Sequence, residues 1–128
     1  MKLLLDTHTA LWLVNDYEKL SPKAETMLLD DTNELYLSIV SVWEVAIKAS
    51  IGKLSEFKGG VRNFLAKVDA MPIVLLTISP MHVEVVEKMP FLHRDPFDRL
   101  LVATAKSEGM VILTADENIC KYDISVVW

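Results

Sequence analysis

The sequence predicts an α/β fold built on a mostly parallel β-sheet. Five short apolar segments rich in leucine, isoleucine and valine have the length and composition of buried strands. Longer segments between them carry apolar residues at spacings of three and four, which is typical of helices that pack one face against a core. Strands that alternate with helices indicate an α/β architecture. No internal repeat, low-complexity tract or linker interrupts this alternation.

The five predicted strands differ in position but share short length and apolar composition. They span residues 2–5, 35–37, 73–76, 111–113 and 124–127. The predicted helices lie between them, over residues 7–14, 22–31, 41–50, 61–70, 80–88 and 96–108. Each of the first three strands is therefore followed by helix, as in a repeated strand–helix unit.

The predicted helix starts rest on two kinds of local signal. A capping residue followed by proline at the first helical position occurs at Ser21-Pro22, Ser79-Pro80 and Asp95-Pro96. Capping boxes occur as Ser41-x-x-Glu44 and as Thr114-x-x-Glu117. These boxes predict that Glu44 and Asp116 lie in the first turns of helices, while Gly109 ends the helix before the fourth strand.

Length, charge and cysteine content narrow the class of protein. The 128 residues are interpreted as a single domain, residues 1–128, and a content of 52% apolar residues excludes a disordered chain. The single cysteine permits no disulfide within the chain, and no apolar run approaches a membrane span. Because the first acid comes at position six, a signal peptide is not expected, so a cytoplasmic protein is predicted. A net charge of −5 argues against a simple basic-patch nucleic-acid binder.

Four acidic residues are predicted to meet at one edge of the sheet. Asp6 and Asp116 follow predicted strands, Glu44 follows the second strand by a few residues, and Asp98 lies at a helix N-terminus. Ligands of parallel sheets bind outside the carboxyl ends of the strands, where these acids would converge. Oxygen-only ligands select hard cations, so Mg²⁺ or Mn²⁺ is the expected metal. Neutralising the four carboxylates would leave the chain nearly neutral, and the bound cation would attract phosphate.

Three of the four acids also have a structural interpretation. Glu44 and Asp98 can be first-turn acids, and Asp116 can be a favourable charge at a helix N-terminus. Asp6 directly follows an apolar strand, and the sequence pattern gives it no capping role. A functional role is therefore favoured for Asp6. Asp95 is the N-cap of its helix, with contact to metal as its alternative.

The chain carries four motifs in an order that resembles a known family. They are L-L-L-D-T-H, S-V-W-E-V-A-I-K, H-R-D-P-F-D-R-L-L-V-A-T-A and L-T-A-D-E, and together they span nearly the whole chain. This combination resembles PIN-domain ribonucleases, with the VapC toxins of type II toxin–antitoxin (VapBC) systems as the most similar group. The resemblance implies a three-layer α/β/α fold with a five-stranded sheet.

The same resemblance implies a site and an activity. Asp6, Glu44, Asp98 and Asp116 match the four acidic positions that bind Mg²⁺ or Mn²⁺, and Thr7 and Thr114 match supporting hydroxyl positions. The implied reaction is hydrolysis of RNA by metal-activated water, with Glu44 as a ligand or a base. The implied partners are the RNA substrate and a VapB-like antitoxin. Separately, an apolar content of 52% in a small domain is compatible with a homodimer.

Several cationic and aromatic residues allow two interpretations. Arg99 can pair with one of the acids or contact phosphate, and Lys48 stands four residues after Glu44, the spacing of a helical ion pair. The histidines His8 and His93 have no recognisable catalytic partner in the sequence. A hydrophobic surface that binds the antitoxin is expected around four residues, Leu11, Trp12, Trp43 and Ile47.

Two other classes of small metal-binding α/β domain do not fit the sequence. A signalling receiver needs paired acids after its first strand and an aspartate after its third, and a D-x-D phosphatase needs a second aspartate after Asp6; the sequence has neither. A solitary housekeeping PIN nuclease remains an alternative. A catalytically idle PIN-like interaction domain is the other, although all four acids are present.

Overall fold

The five strands form one sheet in which every neighbouring pair is parallel. The computed structural model describes residues 1–128. The strands are β1 (Lys2–Leu5), β2 (Glu34–Ser38), β3 (Ile73–Leu76), β4 (Val111–Leu113) and β5 (Val126–Val127), and their order across the sheet is β3-β2-β1-β4-β5. The predicted α/β fold with a five-stranded parallel sheet is confirmed.

Six α-helices connect and cover the strands. They are α1 (Thr7–Asn15), α2 (Pro22–Leu29), α3 (Ile39–Ser50), α4 (Gly60–Asp69), α5 (Pro80–Lys88) and α6 (Pro96–Glu108). None of these helices has both the length and the apolar character needed to cross a membrane.

The sheet separates two hydrophobic cores. Leu5, Leu37 and Leu113 pack with helices α1 to α4, whereas Leu4 and Ile112 pack with α6 and the residues that flank it. Successive residues of a strand point to opposite faces, so β1 contributes Leu4 to one core and Leu5 to the other. The result is the three-layer α/β/α arrangement that the resemblance implied.

The three starts with a capping residue and proline are confirmed. Ser21 accepts a hydrogen bond from the amide of Ala24, and Asp95 accepts from the amides of Phe97 and Asp98. Helix α5 begins at Pro80 after Ser79, as predicted. At the far end of α6, Gly109 has φ +64°, a left-handed conformation that side chains other than glycine rarely adopt.

The predictions based on capping boxes are wrong. Helix α3 begins at Ile39 rather than near Ser41, and its N-cap is Ser38, whose hydroxyl accepts from the amide of Val40. No α-helix follows β4; a single 3₁₀ turn, Ile119–Lys121, lies there instead. The last strand is also shorter than predicted, with two residues.

Candidate active site

Asp6 lies where the central strands of the sheet end. Leu5 and Leu113 are partners in the parallel register of β1 and β4, so the residues that follow them, Asp6 and Thr114, lie side by side. The Thr114 hydroxyl donates a hydrogen bond to Oδ2 of Asp6. Oδ1 of Asp6 accepts from the amide of Thr9 at 2.7 Å. Asp6 is therefore the N-cap of α1, and the expectation that it has no capping role was wrong.

Burial dominates the electrostatics of Asp6. The residue is 4% exposed, and loss of hydration raises the pKa of its carboxyl group although hydrogen bonds from Thr114 and Thr9 act in the opposite direction. The N-terminus of a helix favours a negative charge, yet here it does not outweigh burial. A nearby cation would supply the compensation that water supplies in solution.

Glu44 lies in the second turn of α3, not in the first turn as the capping box predicted. The reason is that the helix starts directly at the end of β2, so Ser41 is inside it and buried. Thr7 Oγ1 donates to Oε1 of Glu44 at 2.6 Å, and Lys48 Nζ lies 2.8 Å from Oε2. The Thr7 hydroxyl has only one proton, which it donates to Glu44. It therefore accepts a hydrogen bond from the hydroxyl of Ser41, whose Oγ lies 3.0 Å away. Glu44 is thus held at both oxygens.

Asp98 lies in the first turn of α6, as predicted. Oδ2 of Asp98 lies 3.3 Å from Nε2 of His93. The ring of Phe97 meets the ring of Trp43 edge-on, with 5.0 Å between centroids. This contact joins α6 to α3 at the residues that precede Asp98 and Glu44 in the sequence, so it brings the two acidic helices together.

Asp116 lies in a turn after β4 rather than in a helix. The oxygen of the Thr114 hydroxyl accepts from the amide of Asp116 at 2.9 Å, while its proton goes to Asp6. Asp116 Oδ1 in turn accepts from the amide of Asn118 at 2.8 Å. Thr114 therefore bonds two residues ahead instead of three, which explains why the predicted capping box with Glu117 does not form. The same hydroxyl links Asp6 to the segment that carries Asp116.

The four acids are coupled electrostatically. The pKa of Asp98 is raised to about 8, first by burial and then by the negative charges of Asp95, Asp116, Glu44 and Asp6. All four acidic motif positions thus lie on the same edge of the sheet, where each influences the potential at Asp98. An open cleft beside them is lined by Asp6 and Asp116 with His8 and Trp12.

The side chains are not gathered into a preformed ligand cage. No three acidic, histidine or cysteine side chains lie close enough together to bind one ion. Each carboxylate is instead engaged by a separate neighbour: Asp6 by Thr114, Glu44 by Lys48 and Asp98 by His93. The residues nevertheless fit a hard divalent cation, because the donors are all carboxylates and the uncompensated negative potential at Asp98 is what such a cation would relieve.

Two residues expected near the site have other contacts. Asp95 serves as the N-cap of α6, as predicted, and contributes to the site through the effect of its charge on Asp98. The predicted pairing of Arg99 with an acid is wrong. Its guanidinium is buried and donates to the carbonyls of Pro90 and Val86 and to the hydroxyl of Tyr122. It faces away from the acids because α6 turns this position into the core.

Comparison with known proteins identifies the family. The model of the PIN domain family matches residues 3–125. The chain belongs to the PIN domain family. A search of curated protein sequences finds no match to this PIN domain.

Solved structures share the fold of this PIN domain at low sequence identity. A chain in the DNA-bound VapBC structure from Salmonella typhimurium has a TM-score of 0.72 and 17% identity, over 99% of this chain and 97% of that one. VapBC2 from Rickettsia felis, bound to a promoter DNA fragment, gives 0.70 and 13%, over 99% and 98%. VapBC-1 from nontypeable Haemophilus influenzae gives 0.68 and 17%, over 99% and 97%. At these identities the likeness concerns the fold.

Sequence reasoning missed two polar residues beside the acids of this PIN domain. His93 Nδ1 lies 2.8 Å from the hydroxyl of Tyr122, while its other ring nitrogen faces Asp98. The position of His93 shortly before the D-P-F-D motif could have suggested it. Nothing in the sequence near Tyr122 indicates a link to Asp98, because the link runs through His93 and exists only in the folded protein.

The apolar residues expected to bind an antitoxin are divided between core and surface. Leu11 is buried in the core and offers little surface, whereas Trp43 is 59% exposed. Trp12 is half-buried against Trp128, with 5.5 Å between ring centroids. In this PIN domain Trp43 therefore presents the larger free apolar surface, directly beside Glu44.

Proposed function

We propose that this chain is a divalent-metal-dependent endoribonuclease that acts as the toxin of a toxin–antitoxin pair. The observation that carries the proposal is the convergence of four carboxylates at one edge of the sheet of a PIN-family chain. The charges of Asp6, Glu44 and Asp116 all raise the pKa of Asp98, so the four acids share one electrostatic environment. Such an arrangement is costly without a cation and is a recurring property of catalytic sites.

The residues fit distinct roles in hydrolysis of an RNA phosphodiester. Asp6, Asp98 and Asp116 would hold Mg²⁺ or Mn²⁺, with Glu44 as a further ligand or as the base for the attacking water. The metal, when bound, would lower the pKa of water and offset charge on the phosphoryl oxygens. Thr7 and Lys48 hold Glu44 at its two oxygens, and Thr114 holds Asp6. Fixed orientation of this kind reduces the reorganisation that the reaction requires.

The central experiment compares RNA cleavage by the wild type with cleavage by Asp98→Asn. All metal is first removed by chelation, and Mg²⁺ or Mn²⁺ is then added back. Asn preserves the shape of the side chain but removes its charge, so cleavage is expected to fall by about a hundredfold or more, beyond the loss typical of a residue that only supports a ligand. Asp123→Asn is the matched control, because Asp123 is exposed and lies outside the acidic edge. Equal cleavage by the wild type and Asp98→Asn would refute the mechanism.

The toxin role is supported by the fold shared with VapBC structures and by the exposed apolar surface. Trp43 lies beside Glu44, and Val74, Leu75, Met81 and Val83 are exposed on β3 and α5. Apolar residues gathered on a surface mark sites where proteins associate. We infer that a VapB-like antitoxin covers the region of Trp43 and that two copies of the chain form a homodimer.

Growth measurements test the toxin role separately from the chemistry. Induced expression of the chain in a bacterial host should arrest growth, whereas Asp98→Asn should not, and co-expression of a small DNA-binding protein encoded directly upstream should restore growth. Analytical ultracentrifugation gives the mass of the chain alone and with that partner. A nuclease that cleaves RNA in vitro but neither arrests growth nor has such a partner would be a solitary housekeeping enzyme instead.

A further inference from the structure

Arg99 is a buried cation that has no carboxylate partner. It is 8% exposed, its guanidinium lies 4.9 Å from the centre of the Phe91 ring, and it takes part in no salt bridge. Its NH1 donates to the carbonyl of Pro90 and to the hydroxyl of Tyr122, both at 3.0 Å. Burying an unpaired charge is costly, so its compensation has to come from these acceptors and from what they contact.

The hydrogen bonds from Arg99 have only one possible direction. A guanidinium donates and never accepts, so the oxygen of Tyr122 is the acceptor. The proton of that hydroxyl is then available to the one other group near it, Nδ1 of His93, at 2.8 Å. With Nδ1 as acceptor, the neutral ring of His93 carries its proton on Nε2, which faces Oδ2 of Asp98. The chain of donors therefore ends on a carboxylate of the acidic site.

We propose that Arg99, Tyr122 and His93 are positioning residues that hold Asp98 through a one-way chain of hydrogen bonds. The rings of His93 and Tyr122 also meet edge-on, with 5.4 Å between centroids. Tyr122 is buried among the residues of the α6 core, so the chain is anchored in a rigid part of the molecule. A side chain in the first turn of a helix has rotational freedom, and a donor fixed from the core limits it.

The contact with His93 limits how the Asp98 carboxylate can be oriented. Nε2 of His93 lies against Oδ2 of Asp98, so the carboxylate gains an orienting contact from a ring that Tyr122 holds at its other nitrogen. In the hydrogen-bond chain, Tyr122 and His93 stand between Arg99 and Asp98. The positive charge of Arg99 polarises the hydrogen bonds that these two residues make. The orientation of the Asp98 side chain is thereby fixed before a cation binds. This use of Asp98 depends on the proposed function, whereas the hydrogen-bond chain itself does not.

The first test observes the hydrogen-bond chain directly in metal-free protein at pH 9, where Asp98 is ionised because this pH lies above its pKa of about 8. Long-range ¹H–¹⁵N NMR spectra report which nitrogen of a histidine ring carries the proton, and His93→Gln assigns the His93 signals among the three histidines. We expect a protonated Nε2 and a hydrogen-bonded, unprotonated Nδ1 in the wild type. Tyr122→Phe should remove the hydrogen-bond shift at Nδ1, while Tyr36→Phe, the same change on β2, should leave it unaltered. A proton on Nδ1 in the wild type, or an unaltered Nδ1 in Tyr122→Phe, would overturn the proposal.

The second test asks whether the chain orients Asp98 for metal. Calorimetric titration with Mn²⁺ should give an affinity about tenfold lower for Tyr122→Phe and for His93→Leu than for the wild type, the usual effect of losing a group that orients a ligand. His93→Gln keeps an N–H donor near the position of Nε2 and should restore most of the affinity. In RNA cleavage, kcat should be lower for Tyr122→Phe and His93→Leu than for His93→Gln, while KM stays near the wild-type value in all three.

The outcomes separate this proposal from the proposed function. Wild-type affinity for Mn²⁺ in His93→Leu would show that the chain does not position Asp98. The expected NMR pattern in a protein that binds Mn²⁺ but cleaves no RNA would refute the nuclease while leaving the hydrogen-bond chain intact. If Tyr122→Phe fails to fold, the comparison of His93→Gln with His93→Leu still decides, because the two variants change the same position and differ in whether an N–H donor to Asp98 is kept.

Discussion

Asp98 is the carboxylate on which the other acids of the site act. Burial contributes the most to its raised pKa of about 8, and the charges of Asp95, Asp116, Glu44 and Asp6 add to it. The shift means that the folded, metal-free protein binds a proton at Asp98 more tightly than the unfolded chain does. Linkage then requires that the stability of the protein depend on pH.

The first prediction concerns this dependence in metal-free protein. Below pH about 4 Asp98 is protonated in both states and adds no penalty; as pH rises toward 8 the unfolded chain releases the proton more readily, so the free energy of unfolding falls. Asp98→Asn should remove most of that fall, about 1–3 kcal/mol after solvent screening of a partly open group. Urea unfolding at several pH values in the presence of a chelator measures it.

The free energy of unfolding of Asp98→Asn should still fall somewhat as the pH rises, because burial also raises the pKa of Asp6. Asp123→Asn serves as the control and should follow the wild type. Identical pH profiles for Asp98→Asn and the wild type would mean that neither burial nor the neighbouring carboxylates raise the pKa of Asp98 in the folded state.

The second prediction concerns Thr7, whose hydroxyl donates to Glu44 at 2.6 Å. Thr7→Val keeps the shape of the side chain but leaves a buried carboxylate with one donor fewer, so the free energy of unfolding should fall by about 1.5–3 kcal/mol, as for hydrogen bonds to charged groups. Thr7→Ser keeps the hydroxyl and should lose less than half of that. Thermal and urea unfolding measure the difference, and a loss in Thr7→Val no larger than that in Thr7→Ser would show that the hydrogen bond to Glu44 does not stabilise the fold.

At the scale of elements, helix starts show which local signals are reliable. A capping residue before proline predicted all three of the starts at Pro22, Pro80 and Pro96, since proline both fits the first helical position and excludes other conformations. The two capping boxes without proline were wrong. The hydroxyls of Ser41 and Thr114 have partners in distant segments, Thr7 and Asp6, that a local pattern cannot reveal.

The third prediction concerns the start of α6, where Asp95 has two effects of opposite sign. Its carboxylate caps the helix through the amides of Phe97 and Asp98, and its charge raises the pKa of Asp98. Asp95→Ala should lower the free energy of unfolding by about 1 kcal/mol through loss of the cap. Asp95→Asn keeps the cap and removes the charge, so above pH 8 it should be at least as stable as the wild type.

Cleavage assays on these variants define the role of Asp95 in the site. If Asp95 acts only as a cap, Asp95→Asn retains RNA cleavage close to the wild-type rate. A loss comparable to that of Asp98→Asn would instead make Asp95 a direct participant in metal binding.

At the scale of the whole molecule, the order of the strands decides which residues meet. The composition of each strand predicts that a strand exists but not its neighbours, and the order β3-β2-β1-β4-β5 is what brings β4 beside β1. This places Thr114 against Asp6 across 108 positions of sequence and Tyr122 against His93 across 29. The acids were predictable because their motifs are local, whereas the residues that hold them depend on the tertiary fold.

The last prediction follows from the four acids belonging to different elements. A cation bound by Asp6, Asp98 and Asp116 would join the start of α1, the start of α6 and the turn after β4, so it would bind the folded protein and not the unfolded chain. At a concentration one hundred times its dissociation constant, such a cation raises the free energy of unfolding by about 2.7 kcal/mol. Because protons compete for Asp98, whose pKa is about 8, the gain should be larger at pH 8.5 than at pH 6.

Thermal unfolding with and without Mn²⁺ at both pH values measures the gain, and Asp98→Asn should abolish most of it. An equal rise in Tm at both pH values, or the same rise in Asp98→Asn, would show that the ion binds elsewhere on the protein.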